Sequence, residues 1–173
     1  MTKIKPYKQS FYETCMTVCL MLLCGIKPSK RLEFLIWKNG WKQNVYLSGQ
    51  INFIAGRFQK YFTLTVESKS YLREVNKKIS RRIKLESRKI DIRLIKKKLN
   101  SGPVIIYLDD FYIYRYVHYP HSLLALGFQS GKLRCADPWD GKIKWLKIGA
   151  IKNGIRSLRN HLKYSPILIS ENV

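Results

Sequence analysis

Residues 103–108 (PVIIYL) and 121–128 (HSLLALGF) are short apolar runs, and a loop of mixed aromatic and polar residues lies between them. Runs of this length, rich in β-branched and aliphatic side chains, read as strands buried in a sheet. Beyond them Leu133–Ala136, Ile143–Ile148 and Pro166–Ile169 have the same character and read as further strands. Gln129-Ser130-Gly131 reads as a three-residue hairpin loop with Gly131 in the left-handed conformation. That register sets Phe128 opposite Lys132 and His121 opposite Trp139. Asp137 is then the diagonal neighbour of His121 on one face, within reach of a long side chain.

Toward the N-terminus the pattern is helical. Thr14 to Leu23 is apolar nearly all round and reads as a buried helix, ended by Gly25 and Pro28. Ser29 is placed to cap a second helix, Lys30–Lys38, with Gly40 beyond its end, and Ser48 to cap a third that runs through Gln50 to Gln59. Tyr61–Val66 (YFTLTV) has strand composition. Lys69 to Lys98 is a basic block with only three acids, Glu74, Glu86 and Asp91. Within it, Asp91–Leu99 carries Ile92, Ile95 and Leu99 at helical spacing, with Lys96 to Lys98 near the negative dipole end. Helices first and strands afterwards imply an α+β protein, with N-terminal helices packed on a C-terminal antiparallel sheet. The expectation is one domain over residues 1–173, its helical part about 1–102 and its sheet part about 103–173.

The 173 residues suffice for one core without disulfides or a structural metal. Lys and Arg total 33 against 11 acids, a net charge of +22, which suits polyanionic partners and equally describes a solvated basic surface. The cysteines Cys15, Cys19, Cys24 and Cys135 contain no C-x-x-C pair, and the histidines complete no zinc pattern, so neither a metal, a cofactor nor a disulfide framework is expected. Lys3, Lys5 and Lys8 precede the apolar run Cys15–Cys24, but that run is too short for a membrane span and lacks a signal-type cleavage site. No transmembrane segment and a cytoplasmic location are the expectation.

Three separated pieces fit one chemistry. Cys15 opens the apolar helix, where the macrodipole and the free first-turn amides favour a thiolate. Gln9, six residues earlier, can aim its amide at the same spot and, with the Cys15 backbone N–H, supply two donors to an oxyanion. His121 enters a buried strand, and Asp137, in Cys135-Ala136-Asp137-Pro138-Trp139, is placed to fix its tautomer and stabilise its cation. Cysteines on apolar helices are usually core, which is the reading for Cys19, Cys24 and Cys135. His118 competes with His121 as base from the aromatic loop, where a structural or substrate-contacting role fits equally. His118, Tyr119 and Trp139 are candidate cleft-lining residues, and His161 reads as exposed. Asp109 and Asp110 read as turn-forming acids at a strand end.

Gln, Cys six residues on, a distant His opening an apolar strand, and Asp sixteen residues later together resemble the papain-like cysteine peptidase superfamily. The Asp137-Pro138 pair, the short chain and "GPVIIYLD…H" resemble its bacteriocin-processing double-glycine leader peptidases and their stand-alone relatives. The resemblance implies a papain-like fold with Cys15 as nucleophile, His121 as general base, Asp137 orienting His121, and Gln9 in the oxyanion hole. A cysteine peptidase hydrolysing a peptide or protein substrate is the leading expectation. The segment Pro103–Leu126 also resembles butirosin-type acyltransferases, so the alternative is acyl transfer with the same residues from an acidic carrier protein, which the basic surface suits. A third reading is a basic module binding nucleic acid or another polyanion on a degenerate peptidase fold.

Overall fold

The apolar decapeptide after Glu13 does form a helix. In the computed structural model, which describes residues 4–43 and 45–172, α1 spans Cys15–Leu23, and all nine of its residues are buried. Lys3, named above with the basic start of the chain, lies outside the described residues. Helix α2 spans Lys30–Gly40, and the Ser29 hydroxyl accepts from the Leu32 N–H as its cap. Helix α3 spans Tyr46–Arg57, beginning earlier than expected, so Ser48 is a buried residue of its first turn and not its cap.

The strands do not stay in the C-terminal part. Strand β1 is Tyr61–Val66, helix α4 is Lys69–Asn76, strand β2 is Ile83–Ser87 and helix α5 is Ile92–Leu99, capped by Asp91. There follow β3 (Val104–Asp109), the short helix α6 (Phe111–Tyr114), β4 (Pro120–Gln129), β5 (Lys132–Asp137), β6 (Lys142–Lys147), α7 (Ile148–Asn160) and β7 (Ile167–Asn172). One seven-stranded sheet has the order β2-β1-β7-β3-β4-β5-β6. Strand β1 pairs parallel with β2 and antiparallel with β7. The class is α+β, but the sheet is mixed and takes in the expected strand Tyr61–Val66 together with the unexpected β2, both before residue 102. The expected division at residue 102 therefore gives way to one continuous sheet.

The helices also occupy both faces. Cys19, Leu20, Ile51 and Ile54 of α1 and α3 pack with Phe62, Leu64, Ile105 and Leu124. A second cluster joins Leu94 and Ile95 of α5 and Ile151 and Ile155 of α7 to Ile106, Leu123 and Cys135. The doubly covered sheet explains why its central strands read as continuous apolar runs and not as alternating ones. Helix α7 lies so close to β3 that a Cβ on Gly154 would fall 2.7 Å from the Asp109 carbonyl oxygen. Among the described residues no helix is long and apolar enough to cross a membrane.

The β4–β5 hairpin corrects one expectation and keeps its consequence. Gln129 pairs with Lys132, so the loop is the two-residue Ser130-Gly131 turn, with φ of 47° and 73°. Both central residues are left-handed, as a type I′ turn requires. A bulge between Ala125 and Gly127 then shifts the ladder by one residue, and Leu124 pairs with Ala136. From that point the register is the one that places His121 near Asp137.

Candidate active site

Three elements meet at one end of the sheet. Helix α1 brings the Cys15 side chain, β4 brings His121, and the end of β5 brings Asp137. Helix α1 has Thr14 at its N-cap with no side-chain cap bond, so no cap side chain claims the amides beside Cys15.

His121 and Asp137 are each only 1% exposed, and the imidazole Nε2 lies 3.0 Å from Asp137 Oδ1. The other ring nitrogen, Nδ1, is not engaged by Asp137, and His121 acts on the neighbouring Cys15 thiol. Burial of the thiol resists its ionisation, but the hydrogen bond and charge of His121, joined by hydrogen bonds from Ser122, outweigh it. The net effect holds Cys15 below the ordinary thiol value. Burial likewise opposes the imidazolium, and the hydrogen bonds to Asp137 and Cys15 overcome it, raising His121 well above an ordinary imidazole. The other three thiols behave oppositely. Burial, with no cationic partner to offset it sufficiently, pushes Cys19, Cys24 and Cys135 upward.

Asp137 is the hub. Its Oδ1 accepts from His121 Nε2 and, at 2.9 Å, from the Trp139 N–H. Its Oδ2 accepts from Lys144 Nζ at 2.8 Å and from the Tyr114 hydroxyl. Burial of this carboxyl favours its neutral form, but His121, Lys144 and Tyr114 hold it well below the usual carboxylate range. Lys144 and Tyr114 were not recognisable as site residues in the sequence. Lys144 sits opposite Cys135 in the β5–β6 ladder, and Tyr114 comes from the short α6 inside the aromatic loop. The alternation of Lys142, Ile143 and Lys144 along β6 carries the signal for the first; no local pattern marks the second.

Gln9 is buried, and its backbone N–H donates to the Pro138 carbonyl at 2.7 Å, tying the N-terminal segment to the loop after Asp137. Its side-chain amide does not stand free. Nε2 donates to the carbonyls of Phe11 at 2.9 Å and Tyr12 at 2.7 Å, and the buried Oε1 has no partner. The same turn is held from outside by the buried Glu33 of α2, whose Oε1 accepts from the Ser10 N–H at 2.7 Å and from the Thr14 hydroxyl. An acid in the first turn of a helix normally faces water and the dipole, so Glu33 gave no sign of this inward role.

The remaining candidates separate. Tyr119 lines the groove that leads to Cys15. Trp139 stands edge-on to the His121 ring, centroids 6.4 Å apart, and Tyr12 packs against both Trp139 and Tyr119. His118 takes a structural place. Its Nδ1 lies 2.6 Å from the buried Asp109 Oδ2, which also accepts from Ser157 Oγ at 2.6 Å, and its ring stacks on Phe111. Asp109 is both a turn acid, its Oδ1 accepting from the Phe111 N–H at 3.1 Å, and a packed anchor through Oδ2, and His161 is exposed beside His118. Asp110 is mostly buried, and that burial raises its carboxyl to about 6.

The groove is about 1170 Å³ and runs from Cys15 and Met16 past Tyr46, Tyr71, Tyr107 and Tyr164. Its acids are Glu13, Glu67 and Glu74 and its bases Arg159 and Lys163, of which Arg159 is paired with Glu67 at 2.7 Å. A chain of net charge +22 thus has a groove without an excess of cations. The Tyr46 hydroxyl and Gln50 Oε1, both along this wall, are buried without partners.

Comparison with known families finds no family model that matches this chain, and comparison with curated proteins finds no match.

Proposed function

We propose that the protein is a papain-like cysteine peptidase. The observation that carries the reading is the buried Cys15–His121–Asp137 relay at the end of an apolar groove, with the thiol favoured toward thiolate and the imidazole toward imidazolium. A buried cysteine used only for packing has its thiol pushed up, as the other three do.

In this reading the Cys15 sulfur attacks the scissile carbonyl carbon and the carbonyl oxygen becomes an oxyanion. The unclaimed Cys15 N–H is one donor to it. Gln9 is the second donor that the resemblance implies, after its amide releases a carbonyl of its own turn. The His121 imidazolium gives its Nδ1 proton to the departing amine as the C–N bond breaks, leaving a thioester on Cys15. His121, neutral again, takes a proton from water, whose oxygen attacks the thioester. The acid leaves and the thiolate–imidazolium pair is restored. Asp137 keeps its charge throughout and holds the ring in position.

Acyl transfer from an acidic carrier uses the same residues, and the overall charge favours such a partner. The groove, with Glu67 paired to Arg159 and Glu13 and Glu74 set against Lys163, has no excess of cations to hold an anionic carrier arm beside Cys15, which puts hydrolysis first. The experiment is incubation with N-acetyl-tyrosine p-nitrophenyl ester and with a peptide library, read by absorbance and mass. Native protein is expected to turn over both. Cys15→Ala turning over either as fast would overturn the reading, and a thioester that persists until an amine is added would favour transfer.

A further inference from the structure

Helix α2 is apolar on two sides. Its inner side buries Ile36 against the core. Its outer side presents Phe34 and Leu35 to solvent, and the next residue after the helix, Trp41, is 63% exposed. The aromatic side chains form one strip, with Leu35 exposed farther round the helix. Phe11 meets Phe34 at 5.8 Å, Phe34 meets Trp37 at 5.8 Å, Trp37 meets Trp41 at 6.0 Å and Trp41 meets Tyr46 at 5.3 Å, between ring centroids. Isolated exposed apolar residues are ordinary, but a continuous strip of this kind marks a contact surface.

The exposed charges along α2 and its flanks have one sign, while the groove end of the strip, at Trp41 and Tyr46, shares its lining with the acid Glu13. Lys27, Lys30, Arg31, Lys38 and Lys42 are all exposed, and the only acid from residue 27 to residue 42 is Glu33. Glu33 is buried and turned inward on Ser10 and Thr14.

We propose that this face docks on an anionic lipid surface. Aromatic and leucine side chains exposed on one helix, flanked by lysines and arginine, match a helix lying in the interface with its cations on acidic headgroups. A second copy is disfavoured, because two such faces would bring like charges together on chains of net +22. Single-stranded nucleic acid needs ring faces open for base stacking. Here neighbouring rings are tilted or edge-on against one another, as Trp37 and Trp41 are at 74°, and Leu35 offers no face to stack on. Trp41 and Tyr46 also line the groove to Cys15, so docking sets the mouth of the groove at the bilayer surface.

The test is co-sedimentation of the full chain with vesicles of phosphatidylcholine alone and of phosphatidylcholine with phosphatidylglycerol. Binding at least about tenfold tighter to the anionic vesicles is expected, weakening as salt is raised. The double variant Phe34→Ser with Trp41→Ser, and separately Arg31→Glu with Lys38→Glu, should each lose about tenfold, with far-UV circular dichroism unchanged. Cys15→Ala should bind as the native chain does, which separates this proposal from the chemistry at Cys15. Equal binding to neutral vesicles, native-like binding by the Phe34/Trp41 variant, or displacement of the vesicles by single-stranded RNA would each overturn it. If either double variant fails to fold, quenching of tryptophan emission by brominated lipid in the native chain decides: quenching on anionic vesicles supports the proposal and its absence overturns it.

Discussion

Replacing Asp137 by asparagine keeps the volume of the hub and removes its charge. The carboxylate accepts from four donors, His121 Nε2 and the Trp139 N–H on one oxygen, Lys144 Nζ and the Tyr114 hydroxyl on the other. An amide has one acceptor oxygen, so whichever way the new side chain turns, its NH₂ faces a pair of donors. Removing one partner from a buried ion pair costs about 3–5 kcal/mol. Lys144 is one-fifth exposed and also reaches Asp140 at 3.1 Å, so it is partly compensated and the lower end, about 3 kcal/mol, is expected. The pH dependence has a definite sign. Asp137 is depressed in the folded state, so its contribution is present above the unfolded value of about 3.9 and is lost as pH falls toward the folded one. His121 is raised, so its contribution is full below about 6.5 and is lost as pH rises through its elevated folded value. The difference between native and Asp137→Asn stability should therefore be widest from about pH 5 to about pH 7 and narrow on both sides. Urea denaturation across a pH series measures it. A difference below about 1 kcal/mol at pH 6, or one that does not change with pH, would refute the hub.

Three further outcomes are expected. Turnover of N-acetyl-tyrosine p-nitrophenyl ester should follow a bell in pH, rising as the lowered Cys15 thiol ionises and falling as the raised His121 loses its proton; a single alkaline rise at the ordinary thiol value would show an unassisted cysteine. Gln9→Glu removes both side-chain donors, so stability should fall by about 2 kcal/mol and the acylation rate by about 10²-fold; a stability loss with an unchanged rate per folded molecule would make Gln9 a turn residue only. Gly141→Ala sets a Cβ 2.7 Å from the Lys8 backbone nitrogen at a φ of +69°, so thermal unfolding should show destabilisation of about 1–3 kcal/mol, and a neutral result would mean the Lys8–Gln9 segment is not held against the Asp137 loop.

Much of the fold could be read in the sequence because the signals were local. The apolar run after Cys15, the Ser29 cap, the helical spacing of Ile92, Ile95 and Leu99 and the run Val104–Leu108 each announced their elements. Strand β2 was hidden because Ile83–Ser87 pairs only along one edge and carries Lys84 and Glu86 like a solvated face. Helix α7 was hidden because Gly149 and Gly154 weaken its propensity and no side chain caps it, while Gly154 is needed for the close approach to β3. The meeting of His121 with Asp137 followed from the correct register, although a two-residue turn and a compensating bulge deliver it. Tyr114 and Glu33 could not be read, because each acts through a contact between elements more distant along the chain, whereas Lys144 reaches Asp137 across a neighbouring hairpin strand and had only the weak signal of the β6 alternation.

The central claim is that Cys15 alone among the four cysteines is an activated thiol and that His121 activates it. Alkylation with iodoacetamide across pH, followed by peptide mapping, measures both at once. The account predicts that Cys15 reacts first, with a labelling midpoint below that of a free thiol, and that His121→Ala moves the midpoint up to or beyond the free value. Labelling spread over Cys19, Cys24 and Cys135, or a Cys15 midpoint unmoved by His121→Ala, would contradict it.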